Sequence, residues 1–153
     1  EKKENIEHSK TLSQEEYLNF YNELINELKT VLPKQYPTPT PKSYYQIPTG
    51  ISGIHFEWGF HGRPRSSFGV ELHFEKGNKE FNKSAIDKIE KFKSKIEQAT
   101  NEKVIFQKDW GKSWARLYIE KNEGKMTDEL KKWAVKKMKI LIDILQPEID
   151  NLR

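Results

Sequence analysis

The chain lacks cysteine altogether, although it is 153 residues long. This absence excludes disulfide bonds, thiol catalysis and any zinc or iron–sulfur site built on cysteine, and it suits a reducing compartment. The chain also has no apolar run near the ~20 residues that cross a membrane, and its charged N-terminus has no signal-peptide pattern. We therefore predict a cytoplasmic domain that has no membrane partner.

Several catalytic motifs are missing as well. The sequence has no Walker loop, no Gly-x-Gly-x-x-Gly loop, no His-Glu-x-x-His pair and no Gly-x-Ser-x-Gly elbow, which disfavours nucleotide hydrolysis and serine-esterase chemistry. The first residue is Glu1 rather than methionine. We interpret this start as a sign that an upstream domain, such as a nuclease-like one, precedes the chain in a longer protein.

Aromatic side chains and charge are both abundant. Aromatic residues make up 12% of the chain and charged residues 33%, so ring surface is available for a core despite the polarity. The length suits one domain. Residues 1–12 are polar and lack periodicity, so we interpret them as a tail or linker remnant and residues 13–153 as a single α+β domain. The formal net charge of +4 permits nucleic-acid contact without requiring it.

Three amphipathic helices are predicted from apolar residues that recur at steps of three and four. The first begins at a capping box at Ser13 and ends at Leu32, where prolines follow. The second extends from Lys79 to Ala99. The third is capped by Thr127.

Strict alternation of apolar and polar residues predicts two hairpins. In the first, a register that opposes Phe60 with Phe68 aligns all the apolar residues on one face. The other predicted strands are residues 44–47, 104–107 and 114–120. The predicted fold is α+β, with a mainly antiparallel sheet of four to five strands against three helices, in the order α-β-β-β-α-β-β-α.

Three stretches of the sequence resemble the family known as domain of unknown function 4268. They are residues 45–53 (YQIPTGISG), residues 69–74 (GVELHF) and residues 114–148, which begin WARLYIEK. The resemblance covers most of residues 12–152. It implies a prokaryotic domain that is often attached to a nuclease-like module in restriction or defence proteins. It implies no catalytic residues, because the shared positions are mostly glycine, proline, aromatic and alternating apolar residues.

Basic side chains indicate a possible nucleic-acid surface. The tip of the first hairpin carries Arg63 and Arg65, and a two-stranded ribbon fits the major groove of DNA. The last helix adds lysines that can follow a phosphate backbone: Lys125, Lys131, Lys132, Lys136 and Lys139. A solvated lysine face is the alternative. Trp110, at the tip of the second hairpin, either is exposed, where it stacks on a base or anchors a partner protein, or folds back over the sheet edge.

The polar face of the first hairpin carries a second candidate site. The predicted register opposes His55 with His73 and Glu57 with Glu71, and like charges directly opposite each other are unfavourable. A divalent cation such as Mg²⁺ or Mn²⁺, held by these four residues, would explain the arrangement. The alternatives are neutralisation by neighbouring lysine or arginine side chains, or simple solvation.

The leading hypothesis is a non-enzymatic accessory or recognition domain of a restriction-like or defence protein that contacts duplex DNA without a cofactor. The first alternative is a metal-dependent nuclease of the PD-(D/E)XK type, with Glu57, Glu71 and His73 as catalytic residues. Two residues depart from that motif, since His73 replaces a lysine and Glu57 an aspartate. The second alternative is a protein-interaction or dimerisation module, and the oligomeric state stays open.

Overall fold

The computed structural model describes the backbone of residues 2–152 and the side chains of residues 13–152. The elements follow in the order α1 (Lys2–Val31), β1 (Tyr44–Pro48), β2 (Ile54–His61), β3 (Ser67–Phe74), α2 (Lys79–Ile89), a 3₁₀ turn (Glu90–Phe92), α3 (Lys93–Thr100), β4 (Ile105–Trp110), β5 (Trp114–Lys121) and α4 (Asp128–Asp150). This arrangement confirms the predicted α+β class and the predicted order of helices and strands. None of the described helices is both long and apolar enough to cross a membrane.

The strands form one sheet in the order β1-β2-β3-β5-β4, and each is antiparallel to its neighbours. The predicted register of the first hairpin is confirmed, with Phe60 opposite Phe68 and Trp58 opposite Val70. A slip of one residue would turn every apolar side chain to the other face. Strand β3 lies at the centre of the sheet and is buried at every position.

The apolar face of the sheet packs against the helices and forms the core. The ring of Phe20 in α1 lies 5.2 Å from that of Phe60 and 5.6 Å from that of Phe68. Trp58 is fully buried, and its indole N–H donates to the carbonyl of Ala134 in α4 at 3.1 Å. These contacts hold α1 and α4 on one side of the sheet. Truncating a buried aromatic residue typically costs about 3–5 kcal/mol of stability.

Two helix boundaries differ from the prediction. Helix α1 begins before Ser13, so the prediction of an N-cap at this residue was wrong, because the helix continues through the polar sequence ahead of it. The predicted tail, residues 1–12, lies outside the residues whose side chains are described. The second predicted helix is interrupted by the 3₁₀ turn. At α4, the hydroxyl of Thr127 accepts from the N–H of Leu130 at 3.1 Å, as predicted.

Candidate functional site

The opposite face of the sheet carries the histidines and glutamates of the first hairpin. His55 lies opposite His73 and Glu57 opposite Glu71, as the predicted register requires. Glu71 is 0% exposed and His73 1% exposed. Ionisable groups are buried to this extent only where partners compensate them, so the contacts of these two side chains decide what the face can do.

A chain of alternating carboxylates and imidazoles crosses this face. His73 Nδ1 lies 2.8 Å from Glu75 Oε2, and His73 Nε2 lies 2.7 Å from Glu71 Oε1. His61 Nε2 lies 2.6 Å from Glu71 Oε2, within hydrogen-bond and ion-pair distance. His61 Nδ1 lies 3.0 Å from Glu120 Oε2. Each imidazole therefore bridges two carboxylates, which favours its protonated form.

This bridging shifts the pKa values of the buried groups. Burial opposes the charge on Glu71, but hydrogen bonding to His61 and His73 outweighs it and lowers the pKa of the carboxyl to about 2. Burial also opposes the charge on His73, yet hydrogen bonds to Glu71 and Glu75 raise its pKa to about 9. The hydrogen bond to Glu71 raises the pKa of His61 as well, against the effect of burial. The centre of the face is thus ion-paired at neutral pH.

Arg116 of β5 adds a permanent positive charge to this network. Its Nη1 donates to Glu71 Oε1 at 3.1 Å and its Nε to Gln107 Oε1 at 2.5 Å. The guanidinium carbon lies 4.5 Å from the ring centroid of Trp110 and 4.8 Å from that of Tyr118, and such cation–π contacts stabilise the group further. Arg116 is therefore a basic partner of Glu71, one of the two opposed glutamates, of the kind that the alternative to a metal requires.

Gly69 provides the space that the Glu71 carboxylate occupies. A Cβ atom at Gly69 would lie 2.1 Å from Glu71 Oε2 and 3.0 Å from His61 Cε1. The residue opposite in the register is Gly59, so this row of the sheet has no side chain on either strand. Glycine inside a strand often marks such a close approach.

His55, Glu57 and His73 form a second grouping beside this chain. His55 Nε2 lies 3.4 Å from Glu57 Oε1, and His73 Nε2 lies 3.6 Å from Glu57 Oε2. One ligand-type atom from each residue lies within 4.8 Å of the others. His55 Nε2 is buried and has no hydrogen-bond partner among the described residues. Three of the four predicted metal ligands, His55, Glu57 and His73, therefore lie close enough to share one ion. The carboxylate of Glu71 instead pairs with His61, His73 and Arg116.

The arginines of the first hairpin tip have different surroundings. Arg65 lies with its guanidinium carbon 5.3 Å from the ring centroid of Tyr17 and 5.0 Å from that of Phe60, and Nη2 lies 4.0 Å from Glu16 Oε2. The Arg65 side chain therefore packs against α1. Arg63 is exposed.

The predicted lysines divide in the same way. Lys139 pairs with Asp143, and Lys131 Nζ lies 2.5 Å from Glu23 Oε2. Three others are exposed, and within the described part of the chain their ammonium groups have no carboxylate at ion-pair distance: Lys125, Lys132 and Lys136. The last two line a groove between α1 and α4 that also contains carboxylates, so this surface is only partly positive.

Trp110 folds back over the sheet edge, which is the second of its two predicted positions. Its ring centroid lies 4.7 Å from that of His73 and 5.7 Å from that of Trp114. A register shift between Gln107 and Trp110 accompanies this placement, as bulges often re-aim a side chain. Trp114 stays 41% exposed. Trp110 therefore belongs to the polar face and not to the basic surface.

Residues 16–149 match the family model described as "Domain of unknown function (DUF4268)". The chain belongs to this family. No curated protein and no solved structure matches it. In this DUF4268 domain, the resembling stretch at residues 45–53 forms most of β1 and the turn after it, and the stretch at residues 69–74 forms most of β3.

Sequence analysis overlooked three members of the polar-face network in this DUF4268 domain: His61, Arg116 and Glu120. His61 is the last residue of β2. Its position continues the alternation from His55 and Glu57, and that pattern was the available signal. A catalytic role for Glu57, Glu71 and His73 stays a prediction.

Proposed function

We propose that this domain is an accessory module of a restriction-like or defence protein. It contacts nucleic acid through arginine and lysine side chains that are not paired with carboxylates. The observation that carries the proposal is that four of the predicted contact residues are exposed and pair with no carboxylate in the described structure: Arg63, Lys125, Lys132 and Lys136. Such side chains neutralise phosphates without first breaking an ion pair. The pairing of Arg65 and Lys139 with neighbouring groups removes them from the proposed contact set.

The hairpin tip lies beside the turn that precedes α4. A Cβ atom at Gly124 would lie 2.1 Å from the carbonyl oxygen of Arg65, so the two backbones touch. This contact places Lys125 next to the tip that carries Arg63. Helix α4 then adds Lys132 and Lys136, which are four residues apart and share a helix face.

The polar face of the sheet is a poorer surface for nucleic acid. Its glutamates, among them Glu57, Glu75 and Glu120, would repel phosphate, and its one arginine, Arg116, is committed to Glu71. The nuclease alternative requires a phosphodiester on this face together with a metal ion. It therefore depends on a metal site on this face.

Fluorescence anisotropy of a short labelled duplex tests the proposal. We expect binding at low ionic strength. The logarithm of the association constant should fall linearly with the logarithm of the salt concentration, because binding releases counterions from the DNA. The triple variant Arg63→Ala, Lys132→Ala, Lys136→Ala should bind the duplex at least about tenfold more weakly. The matched control removes three other exposed lysines, with Lys83→Ala, Lys88→Ala and Lys91→Ala.

The absence of binding at low salt would refute the proposal. So would an equal loss in the two triple variants, since binding would then follow net charge and not this surface. Sedimentation of the same samples tests the dimerisation alternative. That alternative predicts self-association that does not weaken as the salt concentration rises.

A further inference from the structure

Three side chains on the paired strands β2 and β3 direct donor atoms at a common point. The distance from His55 Nε2 to Glu57 Oε1 is 3.4 Å, and that from Glu57 Oε2 to His73 Nε2 is 3.6 Å. Ligands about 2.1 Å from a metal ion at tetrahedral angles lie about 3.4 Å apart. We propose that His55 Nε2, Glu57 and His73 Nε2 bind one divalent transition-metal ion on the polar face of the sheet.

The surroundings of His55 Nε2 suit a metal ligand. Its side chain is 13% exposed, and its Nε2 atom is buried without a hydrogen-bond partner in the described structure. Glu75 Oε2, 3.7 Å away, is too distant for a hydrogen bond. An unsatisfied buried polar atom costs about 1–3 kcal/mol. A bound metal ion would remove this cost, because the imidazole lone pair would become a ligand.

Neighbouring side chains hold the other two ligands in place. Glu75 Oε2 lies 2.8 Å from His73 Nδ1. Histidines that bind metals commonly have such a carboxylate on the second nitrogen. His73 Nε2 lies 2.7 Å from Glu71 Oε1 and 3.6 Å from Glu57 Oε2, so a metal ion bound to this nitrogen would replace the proton that it shares with Glu71. Gln46 of the neighbouring strand β1 donates from Nε2 to Glu57 Oε1 at 3.3 Å. Glu75 and Gln46 are therefore positioning residues for the proposed site.

The ligand set defines the class of metal. Two imidazoles and a carboxylate suit Zn²⁺, Fe²⁺, Co²⁺ or Mn²⁺, whereas Mg²⁺ and Ca²⁺ prefer oxygen ligands throughout. Glu71 Oε1, 2.7 Å from His73 Nε2, is a further oxygen beside the proposed site. The proposal does not depend on nucleic-acid contact, because none of these ligands belongs to the basic surface.

Calorimetric titration of the chelator-treated full chain with Zn²⁺ tests the proposal, and Co²⁺ absorption spectra report the coordination. We expect one ion per chain. His55→Ala and Glu57→Gln should each lower the affinity at least tenfold, and Glu75→Gln about tenfold with an altered Co²⁺ spectrum. The control is His8→Ala, which removes an imidazole outside the described side chains. Circular dichroism verifies folding, which His55→Ala should leave intact because its Nε2 makes no hydrogen bond.

Site-specific loss in His55→Ala and Glu57→Gln, with normal binding in His8→Ala, supports the proposal. Three results would overturn it: no saturable binding of Zn²⁺ or Co²⁺, unchanged affinity in His55→Ala, or Mg²⁺ binding as tight as that of Zn²⁺. The first of these would also remove the basis for a nuclease.

Discussion

Strand β3 contributes four apolar side chains to one face of the sheet and Ser67, Gly69, Glu71 and His73 to the other, and all of them are buried. On the apolar face, burial is favourable in itself, at roughly 25 cal/mol per Å² of apolar surface. On the polar face, burial of the charged Glu71 and His73 is tolerated because each has partners of opposite charge. The apolar face therefore tolerates exchanges that conserve volume, whereas the polar face depends on a complete set of partners.

Removing the central carboxylate should have the largest effect on this balance. Glu71→Ala is expected to lower the free energy of unfolding by about 3–5 kcal/mol, because His61, His73 and Arg116 lose their shared acceptor. Urea denaturation measures the change. The reference is Leu72→Ala, on the opposite face, with an expected loss of about 2–5 kcal/mol. A loss below about 1 kcal/mol in Glu71→Ala would mean that the network adds little stability.

The second largest effect is expected from pH, because the polar face of β3 contains buried groups that titrate and its apolar face does not. The pKa of His73 is raised from 6.5 to about 9, so its contribution is complete below about pH 6.5 and is lost as the pH rises through 9. The pKa of Glu71 is lowered from 4.5 to about 2, so its contribution is complete above about pH 4.5 and is lost as the pH falls towards 2. Maximum stability is expected between about pH 4.5 and 6.5.

The alkaline decrease should amount to roughly 3 kcal/mol, which corresponds to the shift in the pKa of His73. Urea denaturation of metal-free protein at several pH values measures it. His73→Gln should flatten the decrease between about pH 6.5 and 9, since the titrating group is gone. An equally steep decrease in this variant would assign the effect to another group.

A smaller effect is expected from filling the space beneath Glu71. Gly69→Ala should cost about 1–3 kcal/mol, because the new methyl group would displace the carboxylate. Gly77→Ala is the matched control, since a Cβ there would meet no atom within 4 Å, and a change within about 0.5 kcal/mol is expected. Thermal denaturation of both variants gives the comparison, and equal losses would contradict it.

The first hairpin could be predicted in detail because its information is local. Alternation in residues 54–60 and 68–74 permits only one register with a continuous apolar face. That register also placed His55 opposite His73 and Glu57 opposite Glu71, as observed. Half of the polar-face network therefore followed from the sequence.

The positions of Arg116 and Glu120 in the network depended on pairing between strands that are distant in sequence. Strand β5 pairs with β3, while β4, which precedes it in the chain, lies at the sheet edge. No local pattern specifies this order, so Arg116 and Glu120 could not be assigned to the network. The placement of Trp110 depended on the irregular register of the second hairpin. The hypothesis of nucleic-acid contact concerns surface charge, which constrains no packing and stays untested.

The tryptophans lie on both sides of the sheet. Trp110 rests against the ring of His73, whereas Trp58 is enclosed in the core beneath α4. Intrinsic fluorescence of the chain therefore includes emission from both faces, and variants that replace Trp114 and Trp133 would separate the two contributions. Emission from Trp110 follows changes at His73 directly, and that from Trp58 responds when the helices separate from the sheet.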